Sequence, residues 1–324
     1  MKILYIAPYR LSNSIGYESI NLLCNLYDMG LDVVSRPVFD GTKTIKDKKF
    51  TDILEITENK QINSFDVIIQ NVSILNYCYT SKIPYHIFWP ITHNIMPSYE
   101  QKQKYAILDE KINYLYSNNT TKFILDNIDI KNKKELTYTI NHRFYSQNNI
   151  GKYNLGIYSK YKKYYTIIDN LPEYIVKDVI INFIKTFEDN SNTCLILYIC
   201  NISQQTLETY NKYIKDMYNL FEINYSITNI VIVPIDNTIS NVITAHNTGD
   251  VFLSLSDNIQ TPFANKLNRP IINISVNNHI WWNQLDLNKN GSVSSLNDSN
   301  IKDIAYTNII PKDNIQEILE THAQ

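Results

Sequence analysis

The stretch DVFLSLSDNIQTPFANKLNRPIINIS, Asp250 to Ser275, sets hydroxyls, amides and an acid between two apolar runs. It reads as strand, short helix, strand, and in an open α/β sheet a ligand sits just beyond the carboxyl end of such a strand. Ser256, Asp257, Gln260 and Thr261 are therefore candidate ligand contacts, with the N–H groups of the helix start beside them. The stretch holds no glutamate and no glycine, so it offers no close backbone approach. His93, in FWPITHNIMP, follows an apolar run and stands between two prolines. That setting suits an imidazole that donates to a hydroxyl or steadies developing charge, and makes His93 the leading catalytic candidate. Gly16 and Tyr17 lie between the first strand pattern and the first helix pattern, where a loop at a sheet's carboxyl edge commonly lines a binding site.

The other histidines have plainer readings. His86 lies inside a strand pattern and reads as a satisfied core residue. His246 ends a helix pattern before Asn247-Thr248-Gly249, where helix capping accounts for it. His279 stands beside Trp281 and Trp282, whose faces could stack on a sugar but more often pack. No zinc-ligand spacing, no Ser-His-Asp order, no Walker-type Gly-Lys-Thr/Ser and no GxGxxG occurs, so neither a metal nor ordinary NAD binding is expected.

These residues need a scaffold, and composition bounds it. The 324 residues suit two domains of about 150 residues each. With 44% hydrophobic residues, each can bury a core, which excludes global disorder. Lys and Arg number 30 against 32 Asp and Glu, so no overall basic field exists to hold a polyanion. The bias toward Ile, Asn, Lys and Tyr (25 Tyr, 7 Gly) tells more about base composition than about function. Cys24, Cys78, Cys194 and Cys200 sit in apolar segments without metal spacing, so buried free thiols in a reducing compartment are expected. The opening MKILYIAP is too short for a signal peptide and no segment reaches transmembrane length, which points to a cytoplasmic protein.

Strand and helix patterns alternate throughout. KILYIAP, LDVVSRP, DVIIQN, YHIFWP, INYLYSN and ELTYTI read as strands. A helix runs from about Tyr17 to Asp28, with Gly30 past its end, and another from Thr120 to about Asn127. The polar stretch from Asn148 to Lys163 reads as a linker, after which YYTIID opens a second series. Val176, Val179, Ile180, Phe183, Ile184 and Phe187 recur at helical spacing after Pro172. CLILYIC, NIVIVP, DVFLSL and PIINIS are further strands, with a helix from Gln204 to Leu220 and a last one from Asp313 to about His322. Near-continuous apolar strands alternating with helices imply parallel sheets covered on both faces. The expected fold is α/β: a Rossmann-like domain over 1–150 and a second over 151–324, facing across a cleft.

This order resembles the GT-B glycosyltransferases, specifically the large retaining group that uses nucleotide sugars. KILYIAPYRLSNSIGYESINLLCNLYDMGLDVV is similar to that family's first strand-loop-helix-strand unit. INYLYSNNTTKFILDN resembles its segment of strand, serine and Thr-Lys on the next helix. YYTIIDNLPEYIVKDVIINFIKTF resembles the opening of its donor domain, and Asp250 to Ser275 its donor-site segment. The resemblance implies a UDP- or GDP-linked sugar as donor substrate, with no further cofactor. It places the donor by Ser256, Asp257, Gln260 and Thr261 and the acceptor by Gly16, Tyr17 and His93. Arg143, after ELTYTI, is then a candidate phosphate ligand, as is Lys177.

The departures from the family pattern concern charge. Where the family has an Arg and a Lys gripping the donor's phosphates, this chain has Glu173 and Tyr174, with Lys177 one helical turn on. Where the family has a glutamate bonding the ribose, this chain has Phe263, after a turn about four residues shorter. Losing a charged hydrogen bond to phosphate costs roughly 1.5–3 kcal/mol. Two expectations follow: an active transferase with redistributed donor contacts, or a non-catalytic subunit that partners a transferase or recognises a glycan or nucleotide. Either could form homo- or hetero-oligomers. A DNA acceptor rests on fold analogy alone and the near-neutral charge lends it no support.

Overall fold

The computed structural model describes residues 1–38, 45, 48–91, 97–137, 139–145, 150–169, 171, 173–187, 192–223, 229–255 and 258–273. The run KILYIA forms β1 (Lys2–Ala7), and the chain turns through Asn13 into α1 (Ser14–Asp28). The Asn13 side chain accepts the Gly16 N–H at 2.9 Å, so α1 starts nearly a turn ahead of the expected Tyr17. Gly30 follows the helix at φ 74°, the left-handed conformation glycine adopts without a steric penalty. Next come β2 (Asp32–Pro37), α2 (Lys48–Asn59), β3 (Val67–Val72), β4 (Tyr85–Pro90), α3 (Tyr99–Leu108), β5 (Asn113–Tyr116), α4 (Asn119–Asn127) and β6 (Lys133–Glu135). The six strands make one parallel sheet in the order β2-β1-β3-β4-β5-β6. Central β3 is buried at every position, as a strand covered on both faces must be.

Two of these helices were not among the expected elements, although the sequence carries their signals. Phe50, Ile53, Leu54 and Thr57 form one buried face of α2 at i, i+3, i+4, i+7 spacing. Ser98 and Gln101 form a capping box ahead of α3: the Ser98 hydroxyl accepts the Gln101 N–H and the Gln101 side chain accepts the Ser98 N–H. A third difference concerns ELTYTI. The strand stops at Glu135, because the segment beyond it is taken up by α1. The Thr139 carbonyl accepts from the side-chain amides of Asn21 (3.0 Å) and Asn25 (3.1 Å), and the Asn141 N–H donates to Asn21 Oδ1 at 2.8 Å. A strand pairing would need those same backbone groups.

The second unit repeats the theme: β7 (Lys162–Ile168), α5 (Glu173–Phe187), β8 (Thr193–Cys200), α6 (Gln204–Leu220), β9 (Asn229–Ile235), α7 (Ile239–Thr248), β10 (Val251–Ser254), α8 (Gln260–Lys266) and β11 (Ile271–Asn273). Its five strands are parallel, in the order β11-β10-β7-β8-β9. One face of this sheet meets α5 and α6 through an apolar cluster that includes Tyr164, Ile168, Leu195, Leu197, Leu253 and all six helical-spaced residues from Val176 to Phe187. Each such side chain, moved fully from water, contributes about 1.5–3 kcal/mol before entropy is counted. The chain divides into two compact units, one holding residues 1–146 and the other most of the remainder. Cys24 and Cys194 are buried thiols as expected and Cys200 is half-buried, but Cys78 is exposed, on the loop after a 3-10 turn rather than inside an element. No helix among the described residues is long and apolar enough to cross a membrane.

Candidate functional site

In the second sheet the chain runs from β7 outward through β8 and β9, then crosses back to β10 on the other side of β7. The connections leaving β7 and β10 therefore diverge, and the crevice above their carboxyl ends is the place where open α/β sheets take ligands. Helices α5 and α8 begin there, at Glu173 and Gln260. Ser256 and Asp257 lie outside the described residues, as do His93, Pro172, His279, Trp281, Trp282 and the expected last helix.

The start of α5 already carries a negative charge. Glu173 occupies its first turn, where a carboxylate is favoured by the helix dipole, and accepts from Lys177 Nζ at 2.6 Å. The Lys177 ammonium also lies 5.0 Å from the Tyr213 ring centroid on α6. The hydrogen bond from Lys177 to Glu173 pushes the lysine's pKa up. Tyr174 is exposed. Lys177 is thus adjacent to the crevice in sequence, with its charge shared between a carboxylate and an aromatic face.

The start of α8 is anchored downward. Gln260 is 2% exposed, and its Oε1 accepts from His246 Nε2 at 3.0 Å. His246 is fully buried, and its Nδ1 accepts the Tyr165 hydroxyl at 3.0 Å. These partners fix the neutral imidazole with its proton on Nε2. Burial drives the His246 pKa down to about 3, with the bond to Gln260 opposing that shift. Thr261 Oγ1 lies 2.7 Å from Ser254 Oγ at the end of β10. Phe263 is fully buried with its ring 6.1 Å from the His246 ring. Arg269 Nε and Nη2 donate to the carbonyls of His246 and Asn247, so Arg269 caps α7 and the capping role expected of His246 passes to it.

In the first unit, Gly16 and Tyr17 both fall inside α1 and are buried. A Cβ on Gly16 would lie 1.9 Å from the Leu11 carbonyl oxygen, so the loop folded over the helix start demands glycine here. Gly16→Ala is expected to lower stability by about 2 kcal/mol through overpacking, read as a lower denaturant midpoint for the first unit. Tyr17 Oη lies 3.3 Å from Ser12 Oγ. Arg143 forms an ion pair with Asp28, which also accepts from Asn141 Nδ2 at 2.8 Å. Burial pushes the Asp28 carboxyl up, but the bonds from Arg143 and Asn141 outweigh it and hold the pKa below its ordinary value.

Two arrangements had no sequence signal. Tyr165 lies 81 residues before His246, which meets Gln260 on the next helix 14 residues on, so three elements contribute one group each. At the carboxyl edge of the first sheet, Trp89 Nε1 donates to Ser117 Oγ (3.2 Å), whose hydroxyl donates to Glu18 Oε1 (3.0 Å). Among the described residues, no group of three or more His, Cys, Asp or Glu could hold a metal ion.

No family model and no curated protein matches the chain. Solved structures resemble it at low identity. A chain of Anabaena Alr3699/HepE, solved with UDP and glucose, is 11% identical at a TM-score of 0.49, covering 100% of this chain and 99% of its own. A Staphylococcus aureus TarM mutant, solved with fondaparinux, alpha-GlcNAc-glycerol and UDP, is 11% identical at a TM-score of 0.38, over 64% of this chain. A Glycosylation Associate Protein complex from Streptococcus agalactiae contributes a chain 11% identical at 0.43, over 70% of this chain. This protein spans 41% of the TarM chain and 46% of the Streptococcus chain. The two parallel sheets themselves, each with its helices, carry the conclusion: the chain is a tandem of two Rossmann-like α/β domains.

Proposed function

We propose that the protein is a glycosyltransferase of the GT-B type, which moves a sugar from a nucleotide-linked donor to an acceptor hydroxyl. The observation that carries this reading is the reversal of strand order between β7 and β10, with two helices beginning at the crevice it opens. On this reading the UDP- or GDP-linked donor lies over the segment from Ser256 to Thr261. The side chains of Gln260 and Thr261 are engaged with His246 and Ser254, so these residues meet the donor through their backbone. Backbone N–H groups there stabilise the leaving diphosphate. The acceptor, a glycan, a protein or another hydroxyl-bearing molecule, is assigned to the first unit at the loop ahead of α1, with His93 as the proposed imidazole. Gly16 and Tyr17, buried in α1 against Leu11 and Ser12, shape that loop rather than touch the acceptor. Transfer with retention follows from the family resemblance.

A second reading has its own observation. The Glu173 carboxylate puts negative charge at the first turn of α5, where a donor's diphosphate would dock, and holds Lys177 to itself. That arrangement favours a non-catalytic subunit, partnering an active transferase or recognising a glycan.

Calorimetry with UDP, GDP and their common sugar conjugates separates the two. Under the transferase reading one of these binds saturably, and Glu173→Gln tightens it roughly fivefold by removing the repelling charge and releasing Lys177. Silence of both proteins across the series at millimolar ligand would leave the non-catalytic reading standing alone.

A further inference from the structure

A cavity of about 360 Å³ opens at the opposite edge of the second sheet, beside the amino-terminal end of β9. Its origin is topological. β9 is the outermost strand on its side of the sheet, so its flank carries no neighbouring strand among the described residues. Ile214 and Tyr218 of α6, both buried, and half-buried Ile230 of β9 supply an apolar floor. Asn211 and Lys215 of α6, Asn229 at the start of β9, and Tyr158 from the 3-10 turn Gly156–Lys160 complete the lining. The volume falls at the small end of the range for small-molecule sites, which likewise combine an apolar floor with a few polar groups.

The chemistry of the lining selects among ligand classes. A nucleoside diphosphate needs several cations or a helix N-terminus, and Lys215 is the one cation in this lining, which α6 reaches with its carboxyl-terminal half. Asn229 Nδ2 donates to the Thr193 carbonyl at 3.5 Å, so a purely aliphatic ligand would leave the Asn229 carboxamide oxygen and the Asn211 carboxamide facing it unpaired. Each carboxamide carries both donors and an acceptor, and a phenol does both, which matches groups that themselves both donate and accept. A pyranose offers those groups around its edge and apolar C–H faces to the Ile and Tyr side chains. We infer that this cavity is a carbohydrate-binding site on the second unit, separate from the crossover crevice and able to hold a glycan whether or not the crevice takes a nucleotide sugar.

The experiment titrates the full chain with maltotetraose, cellotetraose and chitotetraose by calorimetry, with UDP run in parallel. Tyr158→Ala and Asn211→Ala, which alter half-buried and exposed side chains, test the site without disturbing the core. Support would be saturable binding of one oligosaccharide, weakened roughly fivefold or more in each variant, with any UDP binding unchanged. No saturable binding of any of the three up to about 10 mM would overturn the site, as would binding that both variants leave intact. UDP binding without oligosaccharide binding would remove this site and leave the proposed function untouched. Oligosaccharide binding that the variants weaken, with UDP silent, would support this site and remove UDP as the donor's nucleotide, leaving the GDP-linked donor to the nucleotide series above.

Discussion

Acidification from pH 6.5 to 4.5 is expected to cost the second unit about 2–3 kcal/mol through His246 alone. The imidazole is fully buried between Tyr165 and Gln260, and its pKa stands at about 3. In the unfolded chain it returns to about 6.5. Between those values the unfolded state binds one proton more than the folded state, so stability rises with pH by about 1.4 kcal/mol per unit. The contribution is fully present above pH 6.5 and is lost as pH falls toward 3. His246→Gln keeps a donor and an acceptor in place but cannot titrate. It should therefore be less stable than wild type at pH 7, yet lose less on acidification, so that the gap narrows by about 2–3 kcal/mol at pH 4.5. Hydrogen exchange of the amides in β7 and α7 reads this for the second unit by itself. A variant as acid-sensitive as the wild type would place the titration elsewhere. His86 adds a shift of the same sign in the first unit, because burial lowers its pKa while bonds to backbone carbonyls oppose the shift.

Asn141→Leu should cost the first unit about 2–3 kcal/mol, since it removes bonds from three partners at once, one of them buried. The Asn141 carboxamide donates to Asn25 Oδ1 and Asp28 Oδ2, both at 2.8 Å, and accepts the Arg143 N–H at 3.1 Å. Leucine fills a similar volume but leaves those groups facing an aliphatic side chain. Asp28 would lose one of the two hydrogen bonds that hold its pKa down, so the variant's deficit should shrink in acid, where that carboxyl is protonated in both proteins. Trp89, in the central part of the first sheet, provides the fluorescence signal for denaturation of this unit. Asn141→Asp distinguishes lost bonding from lost shape. It preserves volume but sets a second carboxylate against Asp28, so its penalty at neutral pH should equal or exceed that of leucine and fall more steeply in acid. Equal stability of all three proteins would mean that the polar attachment of residues 139–143 to α1 adds nothing to the fold.

Much of the architecture was legible in the sequence because burial on both faces leaves a continuous apolar run. CLILYIC, DVIIQN and YHIFWP needed only that rule, and the α5 residues from Val176 to Phe187 needed only helical period. Helices α2 and α3 were equally readable, through Phe50, Ile53 and Leu54 and through the Ser98–Gln101 box. ELTYTI was different in kind. Its alternation suits a strand, but the carbonyl of Thr139 and the N–H of Asn141 found partners in Asn21 and Asn25, more than 110 residues away in sequence. No local pattern announces such a competitor.

The residues that could do chemistry divide along the same line. Their types, and the order of the elements that present them, are properties of the sequence: a polar turn after β10, a glycine at the start of α1, an acid and a lysine one turn apart on α5. What each group is occupied with depended on the tertiary structure. Gln260 faces inward because His246 needs an acceptor in the core, Lys177 is held by Glu173 and Tyr213, and Arg143 is held by Asp28. Strand order, which makes the crevice between β7 and β10 and sets β9 outermost among the described strands, is likewise invisible in a linear pattern. Periodicity records which side chains are buried, because burial acts on each residue through its own side chain. Pairing of polar groups and neighbouring of strands arise between distant segments, and only the folded chain decides them.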